Sequence, residues 1–116
     1  MLDFILEMAV KLRNALVSLC LVPFLSVAAD NEFALIIKDH HFIPADVKVP
    51  SGKKIKLVVD NQDASPEELE SHDVNREKVI PGKTKAAIFI GPLKPGKYAF
   101  VGEFNEATAR GVIIAE

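Results

Sequence analysis

Short apolar segments that alternate with polar residues, separated by turns rich in Pro, Gly, Asp and Asn, form the pattern of the chain from residue 30 onward. Apolar side chains at every second position are typical of half-buried β-strands, and no segment has the period of a long amphipathic helix. About seven short strands predict an all-β fold, a sandwich of two sheets. We expect strands over 33–38, 46–49, 54–60, 84–90, 97–101 and 112–115, with further extended chain within 66–80.

The first strand and the connection after it depart from simple alternation. Residues 33–38 are nearly all apolar, which predicts a strand buried on both faces. Residues 39–45 contain His40 and His41 and predict an irregular connection. Adjacent residues of extended chain point to opposite sides, so at most one of these two histidines can face any one site.

Residues 66–73 are compatible with either a short helix or an extended segment. Ser65, Pro66 and Glu68 could cap a helix, but its only apolar anchor would be Leu69, and short helices without a buried face are marginal. We therefore favour the extended form. It places Leu69 in the core on the side of two residues, Glu67 and Ser71, and turns three others to the opposite side, Glu68, Glu70 and His72.

Residues 1–29 have the features of a cleaved secretory signal peptide. Lys11 and Arg13 form a short basic region, and small residues at 27–29 precede the expected cleavage after Ala29. The apolar run between them is only about 14 residues, short of the ~20 that a spanning helix needs, which disfavours the alternative of an uncleaved anchor. We expect an exported protein whose mature form does not span the membrane, with one domain over 30–116.

Charge and cysteine content exclude several classes of function. The formal net charge is −2 and no polybasic face is evident, so no nucleic-acid partner is expected. The single cysteine, Cys20, lies in the predicted signal peptide, which leaves no thiolate chemistry in the exported domain. The sequence has no candidate nucleophile–base pair and no phosphate-binding glycine loop. Any catalysis would be metal redox chemistry.

Three segments resemble the cupredoxin family: residues 58–61, the Leu-x-Pro-Gly-x-Tyr-x-Phe run at 93–100, and residues 111–113. The resemblance covers 33–115 and implies a cupredoxin-like Greek-key β-sandwich. In that family the run leads into the metal-binding loop, and its tyrosine forms a tyrosine corner. We therefore expect the Tyr98 hydroxyl to bond to backbone and its ring to lie in the core.

The resemblance also identifies the positions that hold copper in the family. The first histidine corresponds to Glu67, and the Cys-x2-His-x2-Met loop corresponds to Glu103, Glu106 and Ala109. A type 1 copper site is not expected, because its strong bond is to a thiolate. Carboxylates are hard oxygen donors that suit iron, manganese, calcium or magnesium. Three of them in one pocket would repel one another unless a cation offset their charge.

More narrowly, the chain is similar to the cupredoxin-like periplasmic component of bacterial high-affinity iron-uptake systems. The residues responsible are 68–73, 76–83, 90–93 and 103–108. This resemblance implies iron as the metal, with copper or manganese as alternatives, and an activity of at most ferrous-iron oxidation or electron transfer. It also implies an inner-membrane iron permease and periplasmic iron-binding proteins as partners. Relatives often carry His at the position of Asn105, and an amide oxygen is a poorer ligand than imidazole. The candidate ligands are Glu67, Glu103, Glu106, His72 and Asn105.

Two other functions fit the same sequence. The first is a structural or interaction domain in which the former copper loop contacts protein and binds no metal. The second is a copper carrier that uses His40, His41 or His72. We expect residues 76–78 to form a solvated turn. The metal hypothesis requires Glu67 to meet the 103–106 loop at one end of the sandwich.

Overall fold

Nine strands and one 3₁₀ helix, Glu103–Asn105, make up the regular structure of residues 31–116, which are the residues that the computed structural model describes. The predicted signal peptide over 1–29 lies outside them. Within 31–116, no helix approaches the length and apolar character that crossing a bilayer requires. The strands are β1 (Glu32–Lys38), β2 (His41–Ile43), β3 (Asp46–Val49), β4 (Ile55–Asn61), β5 (Glu67–Ser71), β6 (Arg76–Ile80), β7 (Lys85–Ile90), β8 (Gly96–Gly102) and β9 (Arg110–Ala115).

The strands form two mixed sheets whose inner faces share one hydrophobic core. One sheet has the order β2-β1-β4-β7 and the other β3-β9-β8-β5-β6. The β1–β4 and β3–β9 pairs are parallel, and the other pairs are antiparallel. The predicted all-β sandwich is confirmed, with nine strands rather than about seven. The core includes Leu35, Leu57, Leu69, Ile80, Phe100 and Ile113.

The prediction that the first strand is buried on both faces is wrong. In β1, Leu35 and Ile37 are buried, whereas Ala34 is exposed and Ile36 is half-buried. A sheet in a two-layer sandwich is covered on one face only, so every second side chain faces outward whatever its hydrophobicity.

Residues 39–45 are more regular than predicted, because His41–Ile43 pair with β1. Asp39 and His40 form the intervening turn with φ of 51° and 60°, as a two-residue hairpin loop requires. The Asp63 carboxylate accepts both of their backbone N–H groups, at 2.8 and 3.0 Å. These bonds, the one from His40 foremost, lower the pKa of Asp63. The loop lacks the glycine that usually signals such a hairpin, so local sequence did not predict it.

The extended form of the segment after Pro66 is confirmed, since Glu67–Ser71 is β5, with Glu67, Leu69 and Ser71 buried. The prediction of a solvated turn over 76–78 is wrong, because these residues begin β6 and pair with β5. β6 is an edge strand with an exposed, polar outer side, which gives it the composition of a turn.

Tyr98 confirms the expected corner at the start of β8. Its hydroxyl donates to the carbonyl oxygen of Lys94 at 2.8 Å, and its ring packs against the hydrophobic core. The corner holds the base of the strand that leads into the 103–109 loop.

Candidate metal centre

Asn61, the last residue of β4, organises the loop that leads to the site. It is fully buried, and its Nδ2 donates to the carbonyl oxygens of Ser65 at 3.0 Å and Ile80 at 3.1 Å. Its Oδ1 accepts the N–H of Asp63 at 3.1 Å. These bonds satisfy the buried amide and bring the chain into β5, whose first residue is Glu67.

Glu67 meets the 103–109 loop, as the metal hypothesis requires, but through hydrogen bonds inside the protein. Its side chain is 1% exposed. Oε1 accepts the N–H groups of Glu68 and Phe104, both at 3.0 Å, and Oε2 accepts Asn105 Nδ2 at 2.8 Å. In this arrangement the carboxylate ties β5 to the loop. A role for Glu67 as a direct metal ligand stays a prediction.

A second group of carboxylates lies on the outer side of the same strand. Oxygen atoms of Glu68, Glu77 and Glu103 all lie within 4.8 Å of one another. Glu68 comes from β5, Glu77 from the neighbouring β6, and Glu103 from the start of the 3₁₀ helix. We call these three residues the carboxylate triad. Alternation along β5 predicted that Glu68 faces outward, but Glu68 and Glu77 were not among the candidate ligands.

The triad has the electrostatics of crowded carboxylates. A hydrogen bond shared with Glu77 is the main cause that raises the pKa of Glu68 to about 7, and loss of solvation and the charge of Glu103 add to it. A hydrogen bond shared with Glu103, followed by desolvation, likewise raises the pKa of Glu70. At neutral pH the group therefore retains part of a proton, which a bound cation would displace.

The other candidate ligands are not members of the triad. His72 is highly exposed, and its Nε2 is 3.2 Å from Glu70 Oε1, next to the triad. Asn105 uses its amide nitrogen on Glu67, so only its amide oxygen could bind a metal. Glu106 follows the 3₁₀ helix and is exposed, and its carbonyl oxygen accepts Arg110 Nε at 2.6 Å. Neither Asn105 nor Glu106 contributes to the triad.

His40 and His41 belong to the β1–β2 hairpin. His40 Nε2 is 3.4 Å from Ser65 Oγ, and His41 Nδ1 donates to the carbonyl oxygen of Asp39 at 2.7 Å. Both rings are thus engaged near the hairpin turn and are not part of the triad.

A family model described as "Cupredoxin-like domain" matches residues 12–115. The chain belongs to this cupredoxin-like family. The chain is also similar to an uncharacterized protein from Rickettsia prowazekii (strain Madrid E), with 47% identity over 83 residues. The match covers 72% of this chain and 66% of that protein, so the present chain spans just under two thirds of its relative.

Solved copper proteins share the cupredoxin-like fold at low sequence identity. Auracyanin A, a "blue" copper protein from Chloroflexus aurantiacus, aligns with a TM-score of 0.64 and 10% identity over 73% of this chain and 98% of its own. Amicyanin from Paracoccus versutus aligns with a TM-score of 0.60 and 17% identity over 78% of this chain and 86% of its own. At these identities the comparison establishes the fold.

The residues at the family's copper positions do not fit type 1 copper. Glu67 fills its position with a carboxylate that already accepts three N–H groups, and Ala109 offers a buried methyl group. The space is also closely packed, since a Cβ added to Gly102 would lie 2.6 Å from Glu67 Cδ and 2.7 Å from Ala109 Cβ. Glu103 stands at the position that corresponds to the family's copper-binding cysteine, so the loop offers a carboxylate there and not a thiolate.

Proposed function

We propose that this cupredoxin-like chain is an exported protein that binds a divalent metal ion through the carboxylate triad, with ferrous iron as its cargo. The observation that supports this most directly is the convergence of Glu68, Glu77 and Glu103 from three separate elements within 4.8 Å. The crowding raises the pKa of Glu68, and a cation bound between the three carboxylates would offset their mutual repulsion.

The spacing of the triad suits a hard cation. Metal–oxygen bonds of about 2.0–2.5 Å keep all the oxygens around one ion within about 5 Å of one another, and the three oxygens of the triad meet this limit because they lie within 4.8 Å of one another. Glu70 and His72 stand beside the triad, 3.2 Å apart, and could complete the coordination or receive the ion as it leaves. Imidazole and carboxylate together suit ferrous iron or manganese better than calcium or magnesium.

The iron assignment and the partners rest on the resemblance to periplasmic iron-uptake components. The protein would hold ferrous iron, or present it for oxidation, on its way to an inner-membrane iron permease, in company with periplasmic iron-binding proteins. Anionic oxygen ligands favour the ferric state, so the triad would make bound iron easier to oxidise.

The test is metal titration of the purified residues 30–116. We expect Fe²⁺ under argon, and Mn²⁺, to bind with dissociation constants below about 0.1 mM. Any binding of Cu²⁺ should be unaffected by substitutions in the triad. Glu77→Gln/Glu103→Gln is expected to weaken Fe²⁺ binding at least about tenfold, since it removes two anionic ligands. The matched control is Glu32→Gln, which neutralises an exposed carboxylate on β1 whose Lys56 partner is 3.8 Å away.

Two outcomes would contradict the proposal: no binding tighter than about 0.1 mM, or unchanged binding in the double variant. Glu106→Gln distinguishes the triad from the ligand set of the former copper loop, because a loss there would favour the loop. A Cu²⁺ affinity that collapses on replacing His40, His41 or His72, with the triad variants normal, would instead indicate a copper carrier.

A contact surface is the second candidate function, and two exposed apolar side chains favour it. Phe104 is 52% exposed beside the triad, and Val79, 50% exposed, is paired with Glu68 in the β5–β6 register. Apolar side chains ringed by carboxylates would suit a partner with a basic rim. This function predicts that a Phe104→Ser variant binds metal normally but no longer associates with that partner.

A further inference from the structure

Glu67 and Glu68 are adjacent on β5 and serve opposite faces of it. Glu68 points outward into the triad, whereas Glu67 is buried with its carboxylate against the 103–109 loop. The Phe104 N–H that Glu67 accepts belongs to the residue directly after Glu103. The inner contact is therefore one residue away from the triad member that the loop supplies.

The inner contact leaves the loop little freedom. Three N–H donors reach the Glu67 carboxylate, one from β5 and two from the loop residues Phe104 and Asn105. Gly102, the last residue of β8, lies so close that even a methyl group there would overlap Glu67. The Asn105 carbonyl oxygen in turn accepts the N–H groups of Thr108 at 3.1 Å and Ala109 at 2.8 Å. Through these bonds Glu67 secures the whole turn.

We propose that Glu67 is the positioning residue of the carboxylate triad: its buried side chain sets the place of Glu103 without itself binding the cation. This inference rests on the proposed function, because it assigns how one of the three ligands is held. The length of the Glu67 side chain matters more than its charge, since the carboxylate must reach from β5 to Phe104 and Asn105. Groups that orient metal ligands are commonly as sensitive to substitution as the ligands themselves.

Two substitutions at Glu67 distinguish a positioning residue from a direct ligand, because the two roles predict opposite orders of Mn²⁺ affinity. Glu67→Asp keeps the charge but is one methylene too short, so a positioning role predicts Mn²⁺ binding weakened at least about tenfold. Glu67→Gln keeps the length and an oxygen for the Phe104 N–H, and the Asn105 amide can rotate to accept the new NH₂ group. Its Mn²⁺ affinity is expected within about threefold of wild type. A direct ligand would give the reverse order, with Gln the worse, since Gln lacks the anionic oxygen.

The control is Ser71→Ala on the same strand. Ser71 is also buried and inward-facing, and its hydroxyl donates to the carbonyl oxygen of Ala99 at 2.6 Å, away from the loop. We expect this variant to lose stability in denaturant unfolding while its Mn²⁺ affinity stays unchanged. If Ser71→Ala instead lost Mn²⁺ affinity in proportion to its lost stability, as Glu67→Asp does, the loss in Glu67→Asp would be an effect of stability and the positioning role would be overturned.

A double-mutant cycle shows whether the effect passes through Glu103. In the background of Glu103→Gln, Glu67→Asp should cause no further loss of Mn²⁺ affinity, whereas a direct ligand would give additive losses and overturn the inference. Should Glu67→Asp fail to fold, Asn105→Leu removes the bond to Oε2 and should give the same Glu103-dependent loss. Wild type that binds no Mn²⁺ and no Fe²⁺ defeats the proposed function and this inference together. Wild-type binding with full affinity in Glu67→Asp defeats the inference alone.

Discussion

At the scale of single residues, the close carboxylates of the triad disfavour the ionised form of Glu68. The pKa of Glu68 rises from its ordinary value of 4.5 to about 7, chiefly through its shared hydrogen bond with Glu77. The neighbouring Glu67 shows the contrasting solution, a buried carboxylate satisfied by N–H donors. The adjacent residues Glu67 and Glu68 thus have different roles, a buried contact with the loop and a candidate metal ligand, because their side chains point to opposite faces of β5.

This strain predicts a pH dependence of stability. The folded protein keeps a proton on Glu68 that the unfolded chain releases near pH 4.5, so its free energy of unfolding falls as pH rises through the window from about 4.5 to 7. Glu68→Gln should remove this contribution and unfold at higher denaturant than wild type at pH 8. Denaturant unfolding at several pH values in the presence of a chelator measures the difference.

The comparison with Glu32→Gln isolates the triad in that experiment. The contributions of groups that all three proteins share cancel in the differences between their stability–pH curves. Parallel stability–pH curves for wild type and Glu68→Gln would show that Glu68 holds no extra proton.

At the scale of elements, the β8–β9 pair is the frame from which the 103–109 loop projects. Phe100 on β8 lies opposite Gly111 on β9, and its ring packs edge-on against Phe42 with centroids 4.9 Å apart. A Cβ at position 111 would lie 2.2 Å from Phe100 Cζ and 2.7 Å from the Ala45 carbonyl oxygen. Glycine is required there because an aromatic ring crosses the neighbouring strand.

We expect Gly111→Ala to destabilise the fold by about 1–3 kcal/mol, because the ring must leave its position and the Ala45 backbone must shift. Phe100→Leu shortens the obstructing side chain and is destabilising alone through lost packing. The double variant should be more stable than the sum of the two losses predicts, which denaturant unfolding of all four proteins would reveal. Additive losses would mean that the ring does not cause the requirement for glycine.

At the scale of the whole molecule, the triad combines the β5–β6 hairpin with a loop that lies two strands further along the chain. Residues 68, 77 and 103 meet only when β5 has paired with both β6 and β8. A ligand bound there would therefore be linked to global unfolding.

Metal binding should raise the unfolding temperature. At free Mn²⁺ of 100 times the dissociation constant, linkage predicts about 2.7 kcal/mol of added stability, or a shift of about 10 °C or more for a domain of this size. Scans with Mn²⁺ and with a chelator measure the shift, and Glu77→Gln/Glu103→Gln should largely abolish it. An equal shift in the double variant would place the binding site elsewhere.

Much of the frame was predictable because it depends on local pattern. Alternation predicted the two-sheet sandwich, the extended form of β5 and the opposite directions of Glu67 and Glu68. The Pro-Gly-x-Tyr run predicted the corner that Tyr98 makes with Lys94. The wrong predictions came where the composition of a strand does not match its place in the sandwich. β1 carries apolar residues on a face that the sandwich leaves uncovered, and β6 is mostly polar because it is an edge strand.

The sequence by itself thus determined the fold class, the lack of a thiolate at the former copper loop, and which side chains of β5 face inward. The tertiary structure alone decided that Glu77 joins Glu68 and Glu103, and that Glu67 is bonded to Phe104 and Asn105. The reason is physical: the direction of a side chain is set by the two-residue period of its own strand. Its neighbours across a sheet are set by strand pairing and register, which depend on how the whole core packs.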